Sequence, residues 1–186
     1  MSLACIIVAG GKRTELLDTV ILPKVAQVGF DDVLVVGTHH PGEGYRHLDV
    51  PPLTQTTNDA LVKRDVGALA TDCDLLWYLS DDHYPVCYGP NDLHTSDWDV
   101  IVPCRWTERD GQVIPLTNGE AEAYCGGHGM VIRRSVVQQQ PWCLGPFHPN
   151  WDLLISRRHQ AAGVRYRYHQ SAINIFDVEP GATPWA

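Results

Sequence analysis

The stretch Asp74-Leu75-Leu76-Trp77-Tyr78-Leu79-Ser80-Asp81-Asp82-His83-Tyr84-Pro85 constrains this chain more than any other. Leu75 to Leu79 is an unbroken apolar run of strand length, which predicts a parallel strand covered on both faces rather than a half-wet one. It ends in two acids and a histidine, and in open α/β sheets ligands bind beyond the carboxyl ends of strands. Carboxylates there suit Mg²⁺ or Mn²⁺, hard cations that keep coordination positions for water and for a substrate's phosphate oxygens. The pattern points to a metal and diphosphate site. For the dipeptide alone the plain alternative is an Asp-Asp turn before Pro85, since both residue types favour turns.

The first half of the chain supplies a sheet for that strand. Leu3 to Ala9 is a second buried-strand run, and Gly10-Gly11-Lys12-Arg13 places backbone amides and two cations at its carboxyl end. Such a loop holds phosphate or a base, or is a glycine turn with two solvated cations. Thr14 to Phe30 predicts a helix interrupted at Pro23 and stopped at Gly29. Val33 to Val36 is the next strand, which completes a βαβ unit. From Thr38-His39-His40 to Pro52 the glycines and prolines predict a loop; adjacent histidines on a strand point to opposite faces and do not easily share one ion. Asn58 to Ala70 predicts a helix with Leu61, Val62, Val66 and Leu69 on one face, capped by Asn58 or Asp59. Lys63 and Arg64 ride on it, either as a wet face or with one cation aimed at the same diphosphate.

Downstream, Tyr84 to Ser96 predicts a loop and short helix, Val100 to Val102 a strand, and Val113 to Leu116 a strand beside it. Three glycines surround His128 in Tyr124-Cys125-Gly126-Gly127-His128-Gly129, just before a strand at Met130 to Ile132, a pattern for close approach of a neighbour or ligand. Trp151 to Ala162 predicts a helix closed by Gly163, with Asp152 in the first turn, where its charge is favourable. Val164 to Tyr168 alternates with period two and delivers His169 at its end. Residues 180–186 read as a tail behind one domain, 1–179.

Bulk properties narrow the function. With 186 residues, 44% hydrophobic and 19% charged, the chain supports one core, and a net charge of -8 argues against a broad nucleic-acid or anionic-membrane footprint. A small-molecule site fits better. Met1 to Gly10 lacks a basic leader region and is too short for a membrane span, which predicts a cytoplasmic protein. The six cysteines are scattered without C-x-x-C spacing, which predicts mostly free thiols.

Four stretches, taken together and in order, resemble the family 2 glycosyltransferases of the GT-A fold: the first strand, the Asn58-to-Ala70 helix leading into WYLSDDHYP, the GGHGMVIRRS stretch, and Asp152 with its helix. The resemblance implies a single α/β domain with a Rossmann-like, mostly parallel sheet. It also implies a metal-dependent, inverting transfer of a sugar from a UDP- or GDP-sugar to an acceptor hydroxyl on a saccharide, lipid, protein or modified nucleobase. Aligned on Leu79 and Pro85, Ser80 replaces the first acid of the family's metal motif, and Asp81 and Asp82 fill its second and third places. The implied metal ligands for Mn²⁺ or Mg²⁺ are Asp82 and the late His169, with His83 as competitor. The implied donor-binding residues are Ala9, Gly10, Arg13, Arg64, Asp81, Gly127 and His128. Pro149 and Asn150 stand where the family's acidic pair would fall, which leaves Asp152 as general base. A short chain has little acceptor domain, so a partner or a second copy in a homo-oligomer would complete that side. Two alternatives remain open. Ala9 to Arg13 with Leu22-Pro23-Lys24 also resembles the start of sugar nucleotidyltransferases, and a non-catalytic binding domain of the same fold would explain the missing acids.

Overall fold

The computed structural model describes residues 1–52, 59–88, 93, 97–109, 112–116, 129–143 and 151–178. Strands β1 (Leu3–Val8), β2 (Asp32–Gly37), β3 (Arg46–Asp49) and β4 (Leu75–Ser80) form a parallel half-sheet in the order β3-β2-β1-β4. The remaining strands are β5 (His83–Tyr88), β6 (Val100–Arg109), β7 (Gln112–Leu116), β8 (Val131–Arg133) and β9 (Tyr166–Asp177). They extend the sheet through β8, antiparallel to both β4 and β6, then β9 parallel to β6, then β5 antiparallel at the edge, while β7 pairs with β6. The α/β class is the one expected; the sheet is parallel through β3-β2-β1-β4, the half that carries the acids, and mixed beyond it, where β8 runs antiparallel to both β4 and β6.

Burial on both faces follows from the period-two geometry of β4. Leu75, Trp77 and Leu79 join a core beneath the first helical segment, and Leu76 and Tyr78 join a second core on the opposite face. The first segment runs through α1 (Thr14–Leu16), a π-helical turn (Leu17–Ile21) and α2 (Leu22–Ala26). The second face carries α3 (Asp59–Leu69), α4 (Arg134–Gln139) and α5 (Trp151–Ala161). Helix α3 lies close against the sheet: a Cβ on Gly67 would fall 2.6 Å from Ile6 Cγ2, an approach that glycine permits.

Several local expectations change. The first helix does not break at Pro23; the widened turn just before it absorbs the proline, which has no N–H to donate and would crowd the carbonyl one turn back. Arg46–Asp49 forms strand β3 inside the expected loop, held by backbone pairing with β2 rather than by apolar residues. His83–Tyr88 is strand β5, not a loop, and Pro85 is tolerated because it lies beside a register shift on an edge strand. Helix α4 follows β8 directly and carried no strong signal. Strand β9 runs on to Asp177 instead of ending at Tyr168, because β6 and β5 flank its later residues. Gly163, at φ 74°, follows α5 as expected. Among the described residues Cys5, Cys73, Cys104 and Cys143 are free thiols, and no helix is long and apolar enough to cross a membrane.

Candidate functional site at the carboxyl edge of the sheet

Parallel register brings three strand ends level. Val8 lies opposite Val36 on one side and Ser80 on the other, so Ala9-Gly10, Gly37-Thr38 and Asp81-Asp82 emerge together. The Ala9 amide donates to the Val36 carbonyl at 3.0 Å. A Cβ on Gly37 would lie 2.4 Å from the Ala9 carbonyl oxygen, so that close approach also requires glycine.

The two acids are buried, 5% and 3% exposed, and His83 behind them is 2% exposed. Burying carboxylates is costly unless they are paired; here three of the four oxygens meet an amide or guanidinium donor, while Asp82 Oδ1 faces His83 without a hydrogen bond. The Gly10 amide donates to Asp81 Oδ2 at 2.8 Å. Arg13 Nη1 stands 3.2 Å from Asp81 Oδ1 and 3.2 Å from Asp82 Oδ2. His83 Nδ1 stands 2.6 Å from Asp82 Oδ1. The Val178 amide, at the end of β9, donates to the Asp82 carbonyl at 2.9 Å. Four expected residues, Gly10, Arg13, Asp81 and Asp82, thus meet in one cluster, and the fifth, Ala9, is held against its edge.

The cation that braces this edge is Lys63. Its Nζ donates to the Ala9 carbonyl at 3.1 Å and pairs with Asp59 Oδ2 at 2.5 Å, which ties the start of α3 to the end of β1. The Asp59 and Lys63 spacing of one helical turn was visible in the sequence; the strand-end carbonyl it reaches was not.

Arg64 sits elsewhere. It is 2% exposed, with its guanidinium 5.3 Å from the Trp142 ring and 5.1 Å from the Trp151 ring, so it serves the packing of α3 against α5 rather than an open phosphate contact. Around it, the Asp65 carboxylate accepts the Trp142 and Cys143 amides at 2.8 Å each, and burial pushes its pKa up against those bonds. His159 Nδ1 lies 2.5 Å from the Tyr166 hydroxyl. Burial, aided by the Arg158 charge, lowers the His159 pKa to about 4.

The other expected residues are placed as follows. Asp152 is in the first turn of α5, next to Trp151, and its Oδ1 accepts the Leu153 amide at 2.7 Å. His169 lies in the backbone of β9 between the partners of Val102 and Pro103, where the register shifts, and not at a strand end. The residue opposite His83 on β9 is Asp177. Gly127 and His128, with the expected cap Asn58 and the tail 180–186, lie outside the described residues. The adjacent histidines diverge as expected: His39 Nε2 meets Asp18 Oδ1 at 2.9 Å, while the His40 ring lies 3.9 Å from that of His47.

Asp82, with Asp81 beside it, offers hard oxygen donors. Among the described residues no group of three metal-ligating side chains gathers. A hard cation of the Mg²⁺ or Mn²⁺ kind takes one or two carboxylates and completes its shell with water and substrate phosphates, and Asp82 Oδ1, buried without a hydrogen bond, is a donor of that kind.

No protein-family model matches the chain, and none of the curated proteins compared with it matches. Solved structures do. Over 96% of this chain and 44% of the other, it superposes on GalNAc-T7, crystallised with UDP, GalNAc and Mn²⁺, at TM-score 0.65 and 12% identity. Over 96% of this chain and 59% of the other, it superposes on residues 1-349 of S. aureus TarS, in complex with UDP-GlcNAc, at TM-score 0.63 and 12% identity. The chain spans about half the length of these neighbours. Strand order, the acidic strand end and both superpositions agree that this chain has the GT-A fold.

Proposed function

We propose that the chain is a glycosyltransferase that moves a sugar from a nucleotide-sugar donor, of the UDP or GDP type, to an acceptor hydroxyl. One observation carries the reading: in a GT-A fold, Asp81 and Asp82 are buried at the carboxyl end of β4, within reach of the Gly10 amide and the Arg13 guanidinium. The neighbours' UDP and UDP-GlcNAc complexes support the donor class. Asp82, with Asp81 beside it, would hold Mn²⁺ or Mg²⁺ together with the donor diphosphate. Bound there, the ion would supply charge neutralisation for the departing diphosphate.

The chain's own residues divide the remaining work. Before the ion binds, Gly10 and Arg13 brace the two carboxylates, and Lys63 holds the β1 edge against α3. Asp152 is the proposed general base: its carboxylate takes the hydroxyl proton as the acceptor oxygen attacks the anomeric carbon on the face opposite the diphosphate, whose bond breaks, so that the configuration inverts. Gly127 and His128 are proposed beneath the donor sugar, and His169 as a further metal ligand.

Calorimetric titration tests this reading with a panel of nucleoside diphosphates and nucleotide sugars, each with and without Mn²⁺. The expected result is metal-dependent binding of one diphosphate, lost in Asp82→Ala. Loss in His169→Ala but not His83→Ala would keep His169 as the ligand, and the reverse would replace it. Asp152→Asn is expected to bind donor normally and to lose transfer; intact transfer removes Asp152 from the mechanism. Binding of a triphosphate but of no diphosphate would favour a nucleotidyltransferase.

A further inference from the structure

The cation nearest the acidic pair is already part of the chain. Arg13 Nη1 lies equidistant, at 3.2 Å, from Asp81 Oδ1 and Asp82 Oδ2. Asp81 Oδ2 accepts the Gly10 amide, and Asp82 Oδ1 faces His83 Nδ1 at 2.6 Å without a hydrogen bond. A divalent ion that bridges the pair therefore meets Arg13, at Asp81 Oδ1 and Asp82 Oδ2, or His83, beside Asp82 Oδ1. These two differ in freedom: the Arg13 side chain is 14% exposed, whereas that of His83 is 3% exposed and starts strand β5. Arg13 also follows the Gly10-Gly11 turn, with Gly11 at φ 81°, and makes no side-chain cap to α1. The guanidinium is the more exposed of the two.

We propose that Arg13 and a divalent ion exclude each other from the acidic pair. The proposal rests on the donor-site reading above. Two buried carboxylates balance one guanidinium with charge to spare, but a guanidinium and a divalent ion together leave an excess of positive charge in a water-poor place. A diphosphate removes that conflict, since the displaced guanidinium makes charge-assisted bonds to its oxygens. Metal and diphosphate then bind with positive coupling, and by reciprocity each raises the other's affinity equally. Arg13 thus sets the metal affinity of the empty site.

The test is a titration of the full-length chain with Mn²⁺ alone, the free ion followed by its electron paramagnetic resonance signal, then repeated with UDP and with GDP. Arg13→Met is expected to bind bare Mn²⁺ about tenfold tighter than the wild type, within the span usual for coupled sites. Arg13→Lys, a point charge without the fork, is expected to fall between the two, and it decides the matter where Arg13→Met does not fold. Adding Asp82→Asn to Arg13→Met is expected to abolish the gain. Equal or weaker Mn²⁺ binding by both Arg13 variants overturns the proposal, and so does a gain that survives Asp82→Asn. A gain on bare Mn²⁺ with no response to UDP or GDP keeps the competition and discards the sugar-nucleotide reading.

Discussion

Among the described residues two charged clusters on this sheet stand in contrast, and one of them has the placement of a binding site. Between α3 and α5, Arg64 is stacked between two indoles, while Asp65 accepts two backbone amides. At the sheet's carboxyl edge, Asp81 and Asp82 meet a backbone amide, an arginine and a histidine. Arg64 is as buried as the two acids, and Asp65 less so. What differs is location: the first cluster is enclosed by the side chains of a helical layer, the second stands where parallel strands stop and their loops diverge. Arg64 shows that a buried cation near the right helix is a poor guide until its enclosure is known.

The largest effect separating the two is expected from Trp142→Ala, which removes one wall of the Arg64 enclosure. It should cost about 3–5 kcal/mol of stability in denaturant melts, while donor affinity per folded molecule changes little. Asp82→Asn should do the opposite, lowering transfer about 100-fold or more in steady-state assays with a melting transition close to the wild type's. A Trp142→Ala protein that stays stable but loses donor binding would break the distinction.

A pH series sharpens it further. The unfolded imidazole titrates near 6.5 and the folded His159 near 4, so the unfolded chain binds the extra proton between those values. This contribution to stability is fully present above pH 6.5 and is lost as the pH falls toward 4, by about 2–3 kcal/mol. Guanidinium melts across that range should show the loss, and His159→Gln should flatten it. The smallest effect expected is from Gly67→Ala, about 1–3 kcal/mol, because Ile6 must shift to admit the methyl group. A neutral outcome there would mean that α3 moves outward freely.

Much of the site's inner half was legible. Asp81-Asp82 after an apolar strand and Gly10 to Arg13 after another were found because both signals are local: a run of buried residues, then a polar break. The α5 start and Gly163 stop were legible for the same reason. The contact of Lys63, the strand that His83 begins and the true place of Arg64 were not, because each is decided by a partner far along the chain: the Ala9 carbonyl, strand β9, and the Trp142 and Trp151 rings.

From its residues alone the chain determined a layered α/β class, the parallel half-sheet and the strand end that carries the acids. Hydrophobic runs and turn residues act over a few positions, so they read out without the fold. Tertiary structure decided that His83 to Tyr88 and Arg46 to Asp49 are strands, that β9 extends to Asp177, and that Arg13 rather than Arg64 meets the acids. Those outcomes depend on pairing between segments distant in sequence, where backbone hydrogen bonds and the enclosure of charge outweigh local preference.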